Sequence, residues 1–149
     1  MEFVRYICEI LDIEEPEISF DVSMFPSETT LAMANVSTRT LHLREQAVKV
    51  IEDREGDVDV SLCFTISHEL RHIWQSDSDF EYWFHNYSDD SSDVDAYNTQ
   101  RAEVDANAFG DMVCIALTGC EIIFGDLAPD VCRMIRDRRR ELEKIYTDK

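Results

Sequence analysis

The chain has 149 residues, 44% of them hydrophobic and 10% aromatic, with a formal net charge of −18 and a pI near 4.4. That composition excludes a disordered chain and is enough for one domain, residues 1–149, with a packed core. A surface this acidic repels a nucleic-acid backbone, which disfavours direct DNA or RNA binding and favours a basic partner.

The opening "MEFVRYICEILDIEE" has no basic n-region and carries acids inside its apolar stretch, so it does not read as a signal peptide. Apolar residues at helical spacing predict a first helix over 3–12, ended by Pro16. "EISFDVSMF" (17–25) alternates and predicts a strand. The stretch 27–45 gives two β-prone runs around "ANVST", a hairpin. A helix is expected over 45–57, and a long amphipathic helix over 58–77, where no Gly or Pro interrupts "VDVSLCFTISHELRHIWQSD".

Residues 76–97 mix aromatics, serines and seven acids and read as a long excursion between elements. Its acids read as solvated loop charges, and its rings as either a groove wall or minor core. A second strong helix follows over 98–119, with Gly119 as its stop. A third runs over 128–149, opened by Pro129 and carrying "RMIRDRRRELEK", whose interleaved charges read as a salt-bridged surface helix. No apolar run approaches membrane-spanning length. The order of elements predicts an α+β fold, an N-terminal helix and a small antiparallel sheet packed on helices. Five cysteines (Cys8, Cys63, Cys114, Cys120 and Cys132), with no CxxC among them, read as buried free thiols in a reducing cytoplasm.

The chemistry concentrates in "HELRH", His68 to His72. On a helix, side chains four apart are neighbours, so two imidazoles can meet one ion. Leu62, Ile66, Leu70, Ile73 and Trp74 form an apolar stripe roughly opposite the two histidines. Glu69 lies about 100° round from His68, within reach of a water on the metal without being a ligand. Zinc needs a third protein ligand and an open position. His42, His85, Glu103 and Asp105 are candidates. The face of the second helix through Glu103, Ala106, Asn107, Gly110 and Cys114 is small, and allows that helix to come close while Glu103 reaches across. Asp105 points about 200° away on the same helix and reads as a cap, an outer support or a surface charge. Asn107 is a candidate acceptor for a histidine's other ring nitrogen. Tyr82, His85, Tyr87, Tyr97 and Arg71 are all candidates to stabilise an oxyanion.

"HELRH" (68–72) followed by "EVDANAFG" (103–110) resembles the ImmA/IrrE-like metallopeptidases, over residues 1 to 120 at most. The resemblance implies a zincin-like helical core with Zn2+ held by His68, His72 and Glu103, and Glu69 as catalytic base. It also implies limited proteolysis of a regulatory protein, such as a basic helix-turn-helix repressor of a mobile element or stress response. Two positions depart from the usual pattern: the acidic aromatic segment between the motifs, and Gly110 where Ala is common. Two other functions fit the composition. One is a non-catalytic protein-binding module or acidic regulator with a structural or vestigial metal site. The other is an acidic mimic of DNA.

Overall fold

The computed structural model describes residues 2–46 and 59–147, so the helix expected over 45–57 lies almost wholly outside the described residues. The fold is α+β, with five helices and one three-stranded sheet among the described residues. Helix α1 (Glu2–Leu11) buries Val4, Ile7, Cys8 and Leu11, the spacing of a single apolar stripe. It ends five residues before Pro16, where Asp12 takes a left-handed φ of 54°.

Strand β1 (Glu17–Ser19) is shorter than expected. Asp21 accepts from the Ser23 amide and turns the chain out of the extended conformation. Strands β2 (Ala32–Asn35) and β3 (Thr40–Leu43) form the hairpin around 36–39, with Arg39 at φ 49° in the turn. The sheet order is β1-β3-β2, and β1 pairs with β3 in parallel. The sheet is therefore mixed, which corrects the antiparallel expectation. β1 and β3 are joined through β2, a crossover that returns the chain in the same direction. β2 is left as an edge, facing the helices.

Helix α2 (Val60–Phe84) is capped by Asp59, which accepts from the Leu62 amide, and it runs far past residue 77. The expected excursion is thus partly helical. A non-helical residue, Asp79 (φ −164°), kinks it, and Asp79 restarts the turn by accepting from the Tyr82 amide. Trp74 packs edge-on against Trp83 across that kink, and this aromatic contact carries the helix onward. A short helix α3 (Val94–Asn98) follows, capped by Asp93. Asp77 pairs with Arg39, and Asp95 accepts from the Ala128 amide, so several acids of the segment tie elements together.

Helix α4 (Arg101–Thr118) ends at Gly119, whose φ of 73° is the left-handed cap that only glycine adopts freely. Helix α5 (Pro129–Thr147) closes the fold. Ile66, Leu70, Ile73, Leu41, Leu43 and Phe109 are fully buried at the centre, each contributing about 1.5–3 kcal/mol of apolar burial. Cys8, Cys63 and Cys114 are buried free thiols as expected, whereas Cys120 is exposed and Cys132 is half-buried. No described helix is long and apolar enough to cross a membrane.

α2 and α4 make the most extensive helix–helix contact. Gly110 explains how close they come. A Cβ at that position would lie 2.7 Å from Cδ2 of Phe64 and 3.2 Å from its carbonyl oxygen. Glycine at this position spares a clash with the Phe64 ring on the facing helix.

Candidate metal centre

Close packing at Gly110 places the small face of α4 against the histidine face of α2. Glu103, Ala106, Asn107, Gly110 and Cys114 are all buried there. His72 Nε2 lies 2.9 Å from Glu103 Oε2, and His68 Nε2 lies 3.3 Å from Glu103 Oε1. The two imidazole Nε2 atoms are 3.1 Å apart. Among the described residues these three side chains are the group able to hold a metal ion.

Geometry and electrostatics both bear on that. Ligand bonds of about 2.0–2.1 Å at tetrahedral angles put ligand atoms about 3.3–3.4 Å apart. Here the close contacts run to different carboxylate oxygens, His72 Nε2 to Oε2 and His68 Nε2 to Oε1, and one ligand atom from each of the three side chains lies within 4.8 Å of the other two. Electron-rich atoms this close repel one another unless a proton or cation sits among them. Burial works against the charge on Glu103, but His72 and His68 together hold its carboxyl well below the usual range. Burial likewise disfavours the His72 cation, yet the Glu103 carboxylate and its hydrogen bond push the ring up to about 9. The donor set fits zinc: two imidazoles and a carboxylate, with room for a fourth ligand.

Glu69 projects from the adjoining face of α2. Its Oε2 accepts from the Ala34 amide on the outer edge of β2 at 2.9 Å. The carboxylate is near enough to help raise His72. Cavities open on both sides of this point. One, of about 500 Å³, is lined by His68, Glu69 and residues 29–32. The other, of about 410 Å³, is lined by His72, Tyr87, Met33 and Phe84. Both run along β2, so the edge strand borders the site from end to end.

The candidate oxyanion donors separate cleanly. Tyr87 donates its hydroxyl to Glu103 Oε2 at 2.9 Å. A phenol has one proton, so Tyr97, 2.9 Å away, must donate to Tyr87. Burial and the Glu103 charge push both phenols upward, Tyr97 to about 12 and Tyr87 further, so they stay protonated donors. Arg71 is withdrawn from the site: buried, it donates to Asp105 at 2.7 Å and stacks 3.6 Å above the Trp74 ring. Tyr82 is exposed, and His85 lines a separate cavity with Arg101 and Arg138. His42 borders the His72 cavity, but its Nδ1 is held by the Asp21 carbonyl, and it stands outside the ligand group.

Of the two expected outer supports, Asn107 differs from expectation and Asp105 takes the supporting role among its alternatives. Asn107 does not accept from a histidine. Its amide donates to Asn98 Oδ1 at 2.9 Å and ties α4 to α3. The acceptor for His72 Nδ1 is instead Gln75 Oε1 at 2.8 Å, one turn further along α2. The i, i+3 spacing of His72 and Gln75 was the sequence signal for it. Asp105 is no surface charge. It is 1% exposed and takes hydrogen bonds from Arg71, Gln75 and Arg138.

No protein-family model, no curated protein and no solved structure matches this chain. The reading of the site therefore rests on its own geometry.

Proposed function

We propose that the protein is a zinc-dependent peptidase with His68, His72 and Glu103 as metal ligands and Glu69 as general base. The observation that carries this is the close grouping of two imidazoles on one carboxylate, His72 and Glu103 buried and His68 half-buried, with a second carboxylate beside it and cavities along a sheet edge. Zinc bound there would supply an activated water and polarise a peptide carbonyl. The chain's own groups do the rest. The free oxygen of Glu69 takes a proton from the attacking water and returns it to the leaving amine. The Ala34 amide fixes Glu69 in place through Oε2. Tyr87 gives its one hydroxyl proton to Glu103 Oε2, so its part in this reading is to orient that carboxylate. An extended peptide along β2 would lie with a cavity on each side. A zincin-like core of the ImmA/IrrE type is part of this reading, supported by the α+β class and by the His68, His72 and Glu103 donor set. The −18 charge suits a basic protein substrate such as a helix-turn-helix repressor, met in the cytoplasm.

Glu69→Gln tests the assignment directly. A glutamine oxygen can still accept from Ala34, so the fold is preserved while the base is removed. The variant is expected to purify with the same zinc content as wild type by elemental analysis. Cleavage of a co-expressed repressor, read by mass spectrometry, should fall about 10²–10⁴-fold. Equal cleavage by the variant overturns the role of Glu69.

One observation favours a second reading. The Glu69–Ala34 bond is also a structural tie between α2 and the sheet, which a non-catalytic binding module with a structural zinc needs equally. In that case Glu69→Gln leaves both zinc and partner affinity unchanged, and wild type cleaves nothing.

A further inference from the structure

Beyond the ligands themselves, a chain of buried polar groups leads from His72 away from the groove, and the proposed mechanism uses none of it. Gln75 is fully buried. Its Nε2 donates to Asp105 Oδ2 at 2.8 Å and to the Ala102 carbonyl at 2.9 Å, while its Oε1 faces His72 Nδ1 at 2.8 Å. Asp105 in turn is held by Arg71 from α2, at 2.7 and 3.1 Å, and by Arg138 from α5, at 2.9 Å. Arg71 also donates to the Tyr146 hydroxyl at 2.8 Å.

The chemistry of these groups allows only one direction for the chain. The Asp105 carboxylate and the Ala102 carbonyl are acceptors only, so both must face the amide nitrogen of Gln75. A flipped amide would set oxygen against oxygen twice within 3 Å and leave two buried acceptors short of a donor. The amide oxygen is thereby forced toward His72. An oxygen there accepts, so Nδ1 of His72 must carry the hydrogen, and Nε2 is the atom left to give a lone pair to an ion beside Glu103.

We propose that Gln75 is a positioning residue for the metal centre. Its amide, oriented by Asp105 and the two arginines that clamp it, fixes His72 as the Nδ1–H form with Nε2 turned to the ion. This rests on the zinc-ligand reading above. It also gives α5 a part in the site, because Arg138 supplies one of the two guanidiniums on Asp105. His68 provides an internal contrast: its Nδ1 is buried and has no hydrogen-bond partner among the described residues.

The test compares wild type with Gln75→Met, which keeps side-chain length and loses every polar contact. The first readout is the long-range 15N–1H spectrum of the histidine rings, with zinc added and without. The second is zinc affinity by competition with a chelator of known strength. In wild type with zinc, His72 is expected to show a slowly exchanging Nδ1 proton and a metal-shifted Nε2. In Gln75→Met that Nδ1 proton should exchange with solvent rapidly, the His68 signals should stay put, and zinc should bind roughly 10–100-fold more weakly. Binding of zinc through His72 Nδ1, or unchanged affinity in a folded Gln75→Met, overturns the proposal. The wild-type spectrum decides the ring form even if the variant does not fold. If wild type takes up no zinc, the ligand reading fails. The metal-free spectrum still reports whether Gln75 holds a protected Nδ1 proton, and an unprotected one overturns the orientation argument as well.

Discussion

Glu103 and Asp105 stand two residues apart on α4, and they solve the same problem in different ways. Both carboxylates are buried, at 2% and 1% exposure, and both are held below their ordinary pKa despite burial. Asp105 is neutralised by Arg71 and Arg138, guanidiniums that never give up their charge. Glu103 faces His68 and His72, rings that can exchange a proton for something else, while Tyr87 donates to it from the side. The fold has given one acid a permanent counter-charge and the other a replaceable one. A replaceable counter-charge is the property an ion-binding site needs, and Asp105 shows that this chain could have built the other kind.

Removing Asp105 should produce the largest effect on stability. Asp105→Ala leaves Arg71, whose side chain is 2% exposed, without its partner. A loss of about 3–5 kcal/mol is expected in chemical denaturation. Glu103→Gln breaks the comparison from the other side. It should keep the chain folded yet weaken zinc binding beyond the roughly 10–100-fold typical of an outer support, read by chelator competition.

The protonation of His72 sharpens the contrast further. Its folded pKa of about 9 lies above the unfolded value of 6.5. The His72–Glu103 pair therefore stabilises the metal-free protein fully below about pH 6.5 and loses that contribution as pH rises through about 9. The stability of metal-free wild type, read by chemical denaturation, should fall by roughly 3 kcal/mol over that window, and His72→Asn should flatten the profile. The Asp105 cluster contributes nothing to this slope, because its carboxyl is lowered and its partners stay charged. Its contribution is lost only as pH falls through the depressed Asp105 value, below 3.8.

Gly110→Ala is the smallest of the expected effects. Overpacking against Phe64 costs about 1–3 kcal/mol, partly offset by about 1 kcal/mol of helix propensity. The net change is read by thermal unfolding, alongside zinc affinity.

The local parts of this site were legible in the sequence. Four-residue spacing placed His68 beside His72, and the run of small residues after Glu103 marked the face that meets α2. The apolar stripe from Leu62 to Ile73 is buried as its periodicity required. What escaped were partnerships set by tertiary packing. Nothing in the order of residues pairs Arg71 with Asp105 or turns Arg138 and Arg139 inward from α5 toward Asp105 and Asp111. Those arginines read as surface charges because their neighbours Glu141 and Glu143 do form intrahelical pairs with them. The length of α2 was missed for a similar reason. Its acids at 77 and 79 suggested a loop, whereas Trp74, Trp83, Phe80 and Phe84 pack on one another and sustain the helix.

The single hydrogen where residue 110 would otherwise carry a methyl group acts as a gauge for the whole centre. Because Phe64 abuts that spot, the gap between the two helices is fixed by direct touch, independent of whatever occupies the ion position. A methyl group there would have to displace the Phe64 ring or part the two helices.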